Sequence, residues 1–154
     1  MFTAAEISVP LGTVWGFVAL QYHTLILNRV YVVCVGEDSV LALGAGGLVA
    51  SPHLMKESMF HPLWWVRREK LFKYAQMQFA DEAILSAARA NFRLPLALIE
   101  SVTYTAEEKW GMGHVPYSGR IVVLASGKSQ EFILLGKEDG VAVRDRLEEA
   151  CRAA

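Results

Sequence analysis

The residues able to do chemistry in this chain are scattered, and their spacing argues against a catalytic centre. His53, Glu57 and His61 recur every four residues, so on a helix they would share one face and could offer nitrogen and oxygen atoms to a metal. A zinc peptidase motif needs its glutamate directly after the first histidine, and Lys56 and Pro62 break up a compact site. A solvated face is the expectation, and no metal is assigned. Ser101, Ser118 and Cys34 are nucleophile types, with His114 as the matching base. None of the serines sits in a Gly-x-Ser-x-Gly turn, and Cys34 lies in an apolar run where burial raises a thiol's pKa. The paired carboxylates Glu107-Glu108 and Glu148-Glu149 are sequence neighbours on solvated faces. Gly44-Ala45-Gly46-Gly47 lacks the Gly-Lys-Ser/Thr ending of a phosphate loop, and Val49 stands where a dinucleotide frame needs its third glycine. It is expected to be a strand exit. These patterns yield no catalytic residue and no cofactor.

Two other stretches have the chemistry of contact. Trp64-Trp65-Val66-Arg67-Arg68-Glu69-Lys70-Leu71-Phe72-Lys73 mixes indoles with cations, the combination with which interfacial helices meet anionic lipid or an acidic partner. Trp64, Arg67, Arg68, Lys70 and Lys73 are the candidate contacts there, against the plainer reading that Trp65 and Phe72 are core and the cations merely solvate the outer side. Trp110, His114, Tyr117 and Arg120 occupy or border a loop holding Gly111, Gly113 and Pro116. Aromatic groups on such a loop suit a partner site, or else the loop folds back over one end of the domain.

The whole composition constrains what these stretches can meet. With 154 residues, 53% of them hydrophobic and 20% charged, the chain fits one domain with apolar surface to spare. A net charge of −1 provides no general field for phosphates, which argues against nucleic acid. Cys34 and Cys151 show no disulfide or zinc spacing, as expected of reduced thiols in the cytoplasm. Residues 7–28 carry no charge, but Pro10, Gly12, Gly16 and the trio Gln21, Tyr22 and His23 interrupt any spanning helix, and Glu6 replaces the basic flank of a secretory signal. Strands are expected there instead.

Residues 13–35 are dense in β-branched and aromatic types, with Thr24-Leu25-Ile26-Leu27 and Val30 to Val35 as strand runs. Gly36-Glu37-Asp38-Ser39 then turns the chain into Val40-Leu41-Ala42-Leu43, a hairpin. Ser51-Pro52 suits a helix start, and Pro62 divides the helical stretch into a short helix over 52–60 and a longer one over 62–90. Trp65, Phe72, Ala75, Phe79, Ala83 and Ala87 form its apolar stripe. Strand texture returns over 92–104, where Ile99, Val102 and Tyr104 need not share a face. Residues 107–118 form an exposed loop. Residues 120–125 and 130–135 make a second hairpin around Ser126-Gly127-Lys128-Ser129. A helix closes the chain over 137–152, with Val141 and Leu147 leading its apolar side and Val143 less strictly placed.

This order, with Phe92-Arg93-Leu94-Pro95, Ile99-x-x-Val102, Gly119-Arg120-Ile121-Val122-Val123 and Gln130-Glu131-Phe132-Ile133-Leu134, resembles bacterial pleckstrin-homology-like or GRAM-like domains over residues 90–154. The resemblance implies an α+β fold: a bent antiparallel barrel of about seven strands, sealed by a C-terminal helix and carrying a helical insertion over about 52–90. The first hairpin, 30–43, lacks the basic cluster with which such domains bind phosphoinositides, so no ligand carries over. The resemblance implies a non-catalytic binding module for a protein partner or an anionic membrane surface. Two alternatives are a carrier of an apolar molecule in a cavity beneath the 52–90 helices and self-association through an exposed edge strand.

Overall fold

The computed structural model describes residues 2–3, 15–22, 28–47 and 54–154. The expected strand over Thr24 to Leu27, the Ser51-Pro52 helix start and His53 lie outside them. So does much of the uncharged stretch 7–28. Its described part, from Trp15 to Tyr22, is a strand rather than a helix.

The architecture is one antiparallel sheet curled into a half-barrel, with a helix at its C-terminal end. β1 (Phe2–Thr3), β2 (Trp15–Tyr22), β3 (Asn28–Val35) and β4 (Ser39–Gly46) form the first part. β5 (Phe92–Pro95), β6 (Ile99–Thr105), β7 (Tyr117–Ala125) and β8 (Lys128–Leu135) form the second. The order across the sheet is β5-β4-β3-β2-β8-β7-β6. Because β3 pairs with β2 along its whole length, short β1 and the later β8 share the opposite edge of β2. Two hairpin meanders thus meet at one seam, Ala19 opposite Leu134 and Leu20 opposite Ile133. β5 and β6 stand at the two ends of this order, yet only Leu96–Leu98, a 3-10 turn, separates them in sequence. The four steps from Pro95 to Ile99 reach roughly 14 Å at most, so the sheet has to curl until its edges approach at that corner.

Both hairpins form where turn residues permit. The second is tighter than the sequence suggests: Ser126 and Gly127, both with positive φ, make the turn alone, and Lys128 and Ser129 already belong to β8. Gly44 to Gly46 belong to β4 instead of leaving it. A Cβ on Gly46 would lie 2.9 Å from that of Val30 and 3.0 Å from the Trp65 carbonyl, so glycine there allows a close approach of backbones.

The strands β2 to β4 are buried on both faces, which explains their unbroken apolar texture. Phe17, Ala19, Tyr31, Val33, Val40 and Ala42 face the inside of the curl, where they meet Val102, Ile121, Val123 and Phe132. Val18, Leu20, Val32, Leu41, Leu43 and Ile133 face the other way, under the insertion. The high hydrophobic content serves two cores back to back.

The inner core is closed by α3 (Gly140–Ala153), which Asp139 caps by accepting from the Ala142 amide at 3.0 Å. Val143 and Leu147 are fully buried in it, while Val141, expected on the apolar side, is exposed. A register shift between Ile99 and Ser101 brings Ile99 onto the same core as Val102 and Tyr104, which strict alternation would have prevented.

The insertion departs most from expectation. In place of a short helix over 52–60 the described residues hold a 3-10 turn, Glu57–Phe60, and in place of a long helix over 62–90 stand a second 3-10 turn, Pro62–Trp65, then α1 (Arg68–Ala75) and the single turn α2 (Ala83–Ser86). Tertiary anchors account for the breaks. Val66 is extended, and the Arg67 amide donates to the Ala45 carbonyl at 2.8 Å, drawing the chain against the end of β4. Beyond α1, Arg93 reaches the Phe79 carbonyl at 2.6 Å, and the Phe79 ring lies over Gly36. The expected stripe fails with the helix: Phe72 is 63% exposed and Ala83 is exposed, while Tyr74 and Ile84 are the buried residues.

Candidate interaction surface

The insertion is fastened to the outer core by a buried polar knot. The Tyr74 hydroxyl donates to the Gly44 carbonyl at 2.7 Å, the Gly44 amide donates to Asn91 Oδ1 at 2.7 Å, and Asn91 Nδ2 donates to the Ile84 carbonyl at 2.8 Å. Both strand and insertion backbone groups are thereby satisfied, so the segment has one seating. Burial raises the Tyr74 hydroxyl's pKa above its ordinary value, against the opposing hydrogen bond to Asn91, and the phenol stays a donor.

The two 3-10 turns are set by local chemistry. His61 Nδ1 accepts from the Leu63 amide at 3.2 Å and Pro62 opens the second turn. Trp65 turns inward, donating its indole N–H to the Met59 carbonyl at 3.0 Å and packing on the outer core. Its neighbour Trp64 consequently turns out, 48% exposed. Between the turns and α1 opens a groove of about 650 Å3 lined by Ser58, His61, Leu63, Trp64, Val66, Arg68 and Leu71. Leu54, Met55 and Phe60 are also exposed large apolar residues on this segment. The sequence does not single them out, because an expected helix over 52–60 offers them a buried face.

The same stretch is basic. Residues 54–73 contain Lys56, Arg67, Arg68, Lys70 and Lys73 against Glu57 and Glu69, so they carry +3 in a chain whose net charge is −1. Among the described residues no ion pair engages Arg67, Arg68 or Lys70. Lys73 is different: its ammonium donates to the Ala87 carbonyl at 2.8 Å and ties α1 to the chain just beyond α2.

The second candidate stretch lies beside the first. The Gly136 amide donates to the Pro116 carbonyl at 2.8 Å, and the next amide, of Lys137, donates to the Phe60 carbonyl at 2.6 Å. The loop over 106–116 and the first 3-10 turn therefore dock on one junction at the end of β8. A Cβ on Gly136, whose φ is +74°, would come within 2.6 Å of the Phe60 carbonyl oxygen, so this junction needs glycine. The loop is not wholly exposed as expected, since Met112 and Val115 are buried in the outer core beside Leu63 and Trp65. The loop folds back onto the outer core and leaves Trp110 81% exposed.

Tyr117 and Arg120 act as the loop's frame. The Tyr117 hydroxyl accepts from the Lys109 amide at 2.8 Å, and Arg120 pairs with Glu131 at 3.2 Å and Glu107 at 3.9 Å. The Lys109 ammonium completes a bridge to Glu131 and stands 6.0 Å from the Tyr22 ring centre. Arg120's charge is largely spent here. His114 is exposed within the loop. Thus Trp64, Arg67, Arg68, Trp110 and His114 are exposed and Lys70 is half-buried, whereas Tyr117, Arg120 and the exposed Lys73 make bonds that hold the scaffold.

Glu57 and His61 are described and exposed, and His61 Nδ1 is committed to the Leu63 amide. Among the described residues no three His, Cys, Asp or Glu side chains cluster as a metal site, and no helix is long and apolar enough to cross a membrane. Compared with protein-family models, curated proteins and solved structures, the chain matches none.

Proposed function

We propose that the protein is a non-catalytic, cytoplasmic binding module of pleckstrin-homology-like type that docks on anionic membrane surfaces. The seven-strand curl and the closing helix α3 support the fold reading. The observation that carries the function is the exposure of Leu54, Met55, Phe60 and Trp64 beside Arg67, Arg68 and Lys70 on a segment of charge +3. Apolar side chains enter the headgroup boundary while the cations meet lipid phosphates and carboxylates. A rigid knot behind the segment removes the ordering cost that a flexible loop would pay. Support for a surface rather than an interior carrier comes from Leu63, Trp65, Leu71 and Tyr74, which pack straight onto the sheet beneath the insertion.

Flotation with neutral vesicles and with vesicles containing phosphatidylserine tests this. The protein should float with the anionic vesicles and be released by salt. Each basic residue near such a surface contributes about 1 kcal/mol, so Arg67→Gln/Arg68→Gln should weaken binding about thirtyfold. Equal recovery on both vesicle types would remove the membrane reading and leave an acidic protein as the partner to seek.

A further inference from the structure

Among the described residues the sheet ends at β5 and β6, and these two edges are treated differently. β5 is short, ends on Pro95, and its Arg93 is tied to Glu82 at 2.9 Å and to the Phe79 carbonyl, devices that blunt an edge against strand addition. β6 has seven residues, Ile99 to Thr105, with no Lys, Arg or Pro among them, and among the described residues it pairs with β7 alone. A groove of about 370 Å3 runs along this strand, between Ile99, Glu100, Ser101 and Val102 and the last turns of α3 at Glu148, Cys151 and Arg152. Backbone donors and acceptors facing such a groove call for an extended strand, because only a strand repeats their spacing.

We propose that the occupant is β6 of a second copy of this chain, paired antiparallel about a twofold axis at Val102. The register is self-complementary. Val102 meets its own copy on the inner face, where it is already buried. The exposed hydroxyls of Ser101 and Thr103 fall opposite each other on the outer face, a favourable cross-strand pair. The one acid of the strand, Glu100, is skipped in the register shift between Ile99 and Ser101 and so stands outside this pairing, its carboxylate held aside by the Gly127 amide at 3.0 Å. Beside the groove each copy brings one acid and one base from α3, Glu148 and Arg152, which a twofold axis can set against their opposites. The interface is remote in sequence from the 54–73 segment and does not depend on the membrane reading.

Sedimentation equilibrium over a concentration series should show a species of twice the 17.1 kDa chain mass. Ser101→Lys/Thr103→Lys and Ser101→Glu/Thr103→Glu place like charges opposite each other, and each should raise the dissociation constant about tenfold or more. Mixing the two should restore association as a heterodimer. Both positions are exposed, and unchanged thermal unfolding of the variants checks that they fold. A chain that stays at single mass throughout overturns the proposal. So does self-association that both double variants keep, a mixture that fails to pair, or a monomer that takes up an unrelated extended peptide along β6.

Discussion

At the scale of single residues, neighbours of one type have opposite fates, and backbone geometry decides which. Trp65 packs partly buried against the core and Trp64 is surface because the 3-10 turn points only one of them at the Met59 carbonyl. Cys34 and Cys151 differ in the same way. Burial pushes the Cys34 thiol from 9.0 up to about 12, whereas the half-buried Cys151 is raised by burial first and then by Glu148. In the native protein a thiol reagent should therefore modify Cys151 and spare Cys34, with both reacting in denaturant; native mass spectrometry after labelling reads the difference. The raised value also fixes a sign. A thiol held neutral in the fold gives stability that is complete below its unfolded pKa and is lost as pH climbs from about 9 towards 12. Urea unfolding of Cys34→Ala across that range should fall less steeply than that of the parent. The burial of Cys34 was legible from its apolar strand. The choice between Phe72 and Tyr74 was not, because it rests on a hydroxyl reaching a carbonyl thirty residues away.

At the scale of elements, strands and hairpins were readable because their signals are local: turn formers between alternating or continuous apolar runs. The first hairpin, the second hairpin and the closing helix all stand close to where spacing puts them. The insertion was not readable, because periodicity over 62–90 suggested one helix while contacts with β4 and β5 cut it into pieces. Half the candidate surface was legible for the same reason: Trp64 and its cations announce themselves by composition, but Leu54, Met55 and Phe60 depend on the turns that expose them. Tyr74→Phe isolates this element. It leaves the buried Gly44 carbonyl without its donor, at a cost of about 1–3 kcal/mol, and hydrogen exchange should rise first over α1 and α2. Gly136→Ala should also loosen the first 3-10 turn, since the Phe60 carbonyl has to move away from the new methyl; weaker vesicle binding with the sheet's exchange protection intact is the expected pattern.

For the molecule as a whole, the sheet acts as a shared wall between two cores, so each closing element can be damaged separately. Leu147→Ala opens the inner core beneath α3 and should destabilise the domain by about 2–5 kcal/mol, read from denaturant midpoints. The seam where β2 meets β8 has a consequence for how the chain reaches this state. Each meander consists of contacts between near neighbours, which form quickly, but residues 19 and 134 have to find each other across most of the polypeptide. Until they do, each half presents an unzipped strand of mostly apolar residues. Refolding should accordingly be slow for a chain of this size and yield more at low concentration, because a stray neighbour can occupy that gap before the proper mate arrives.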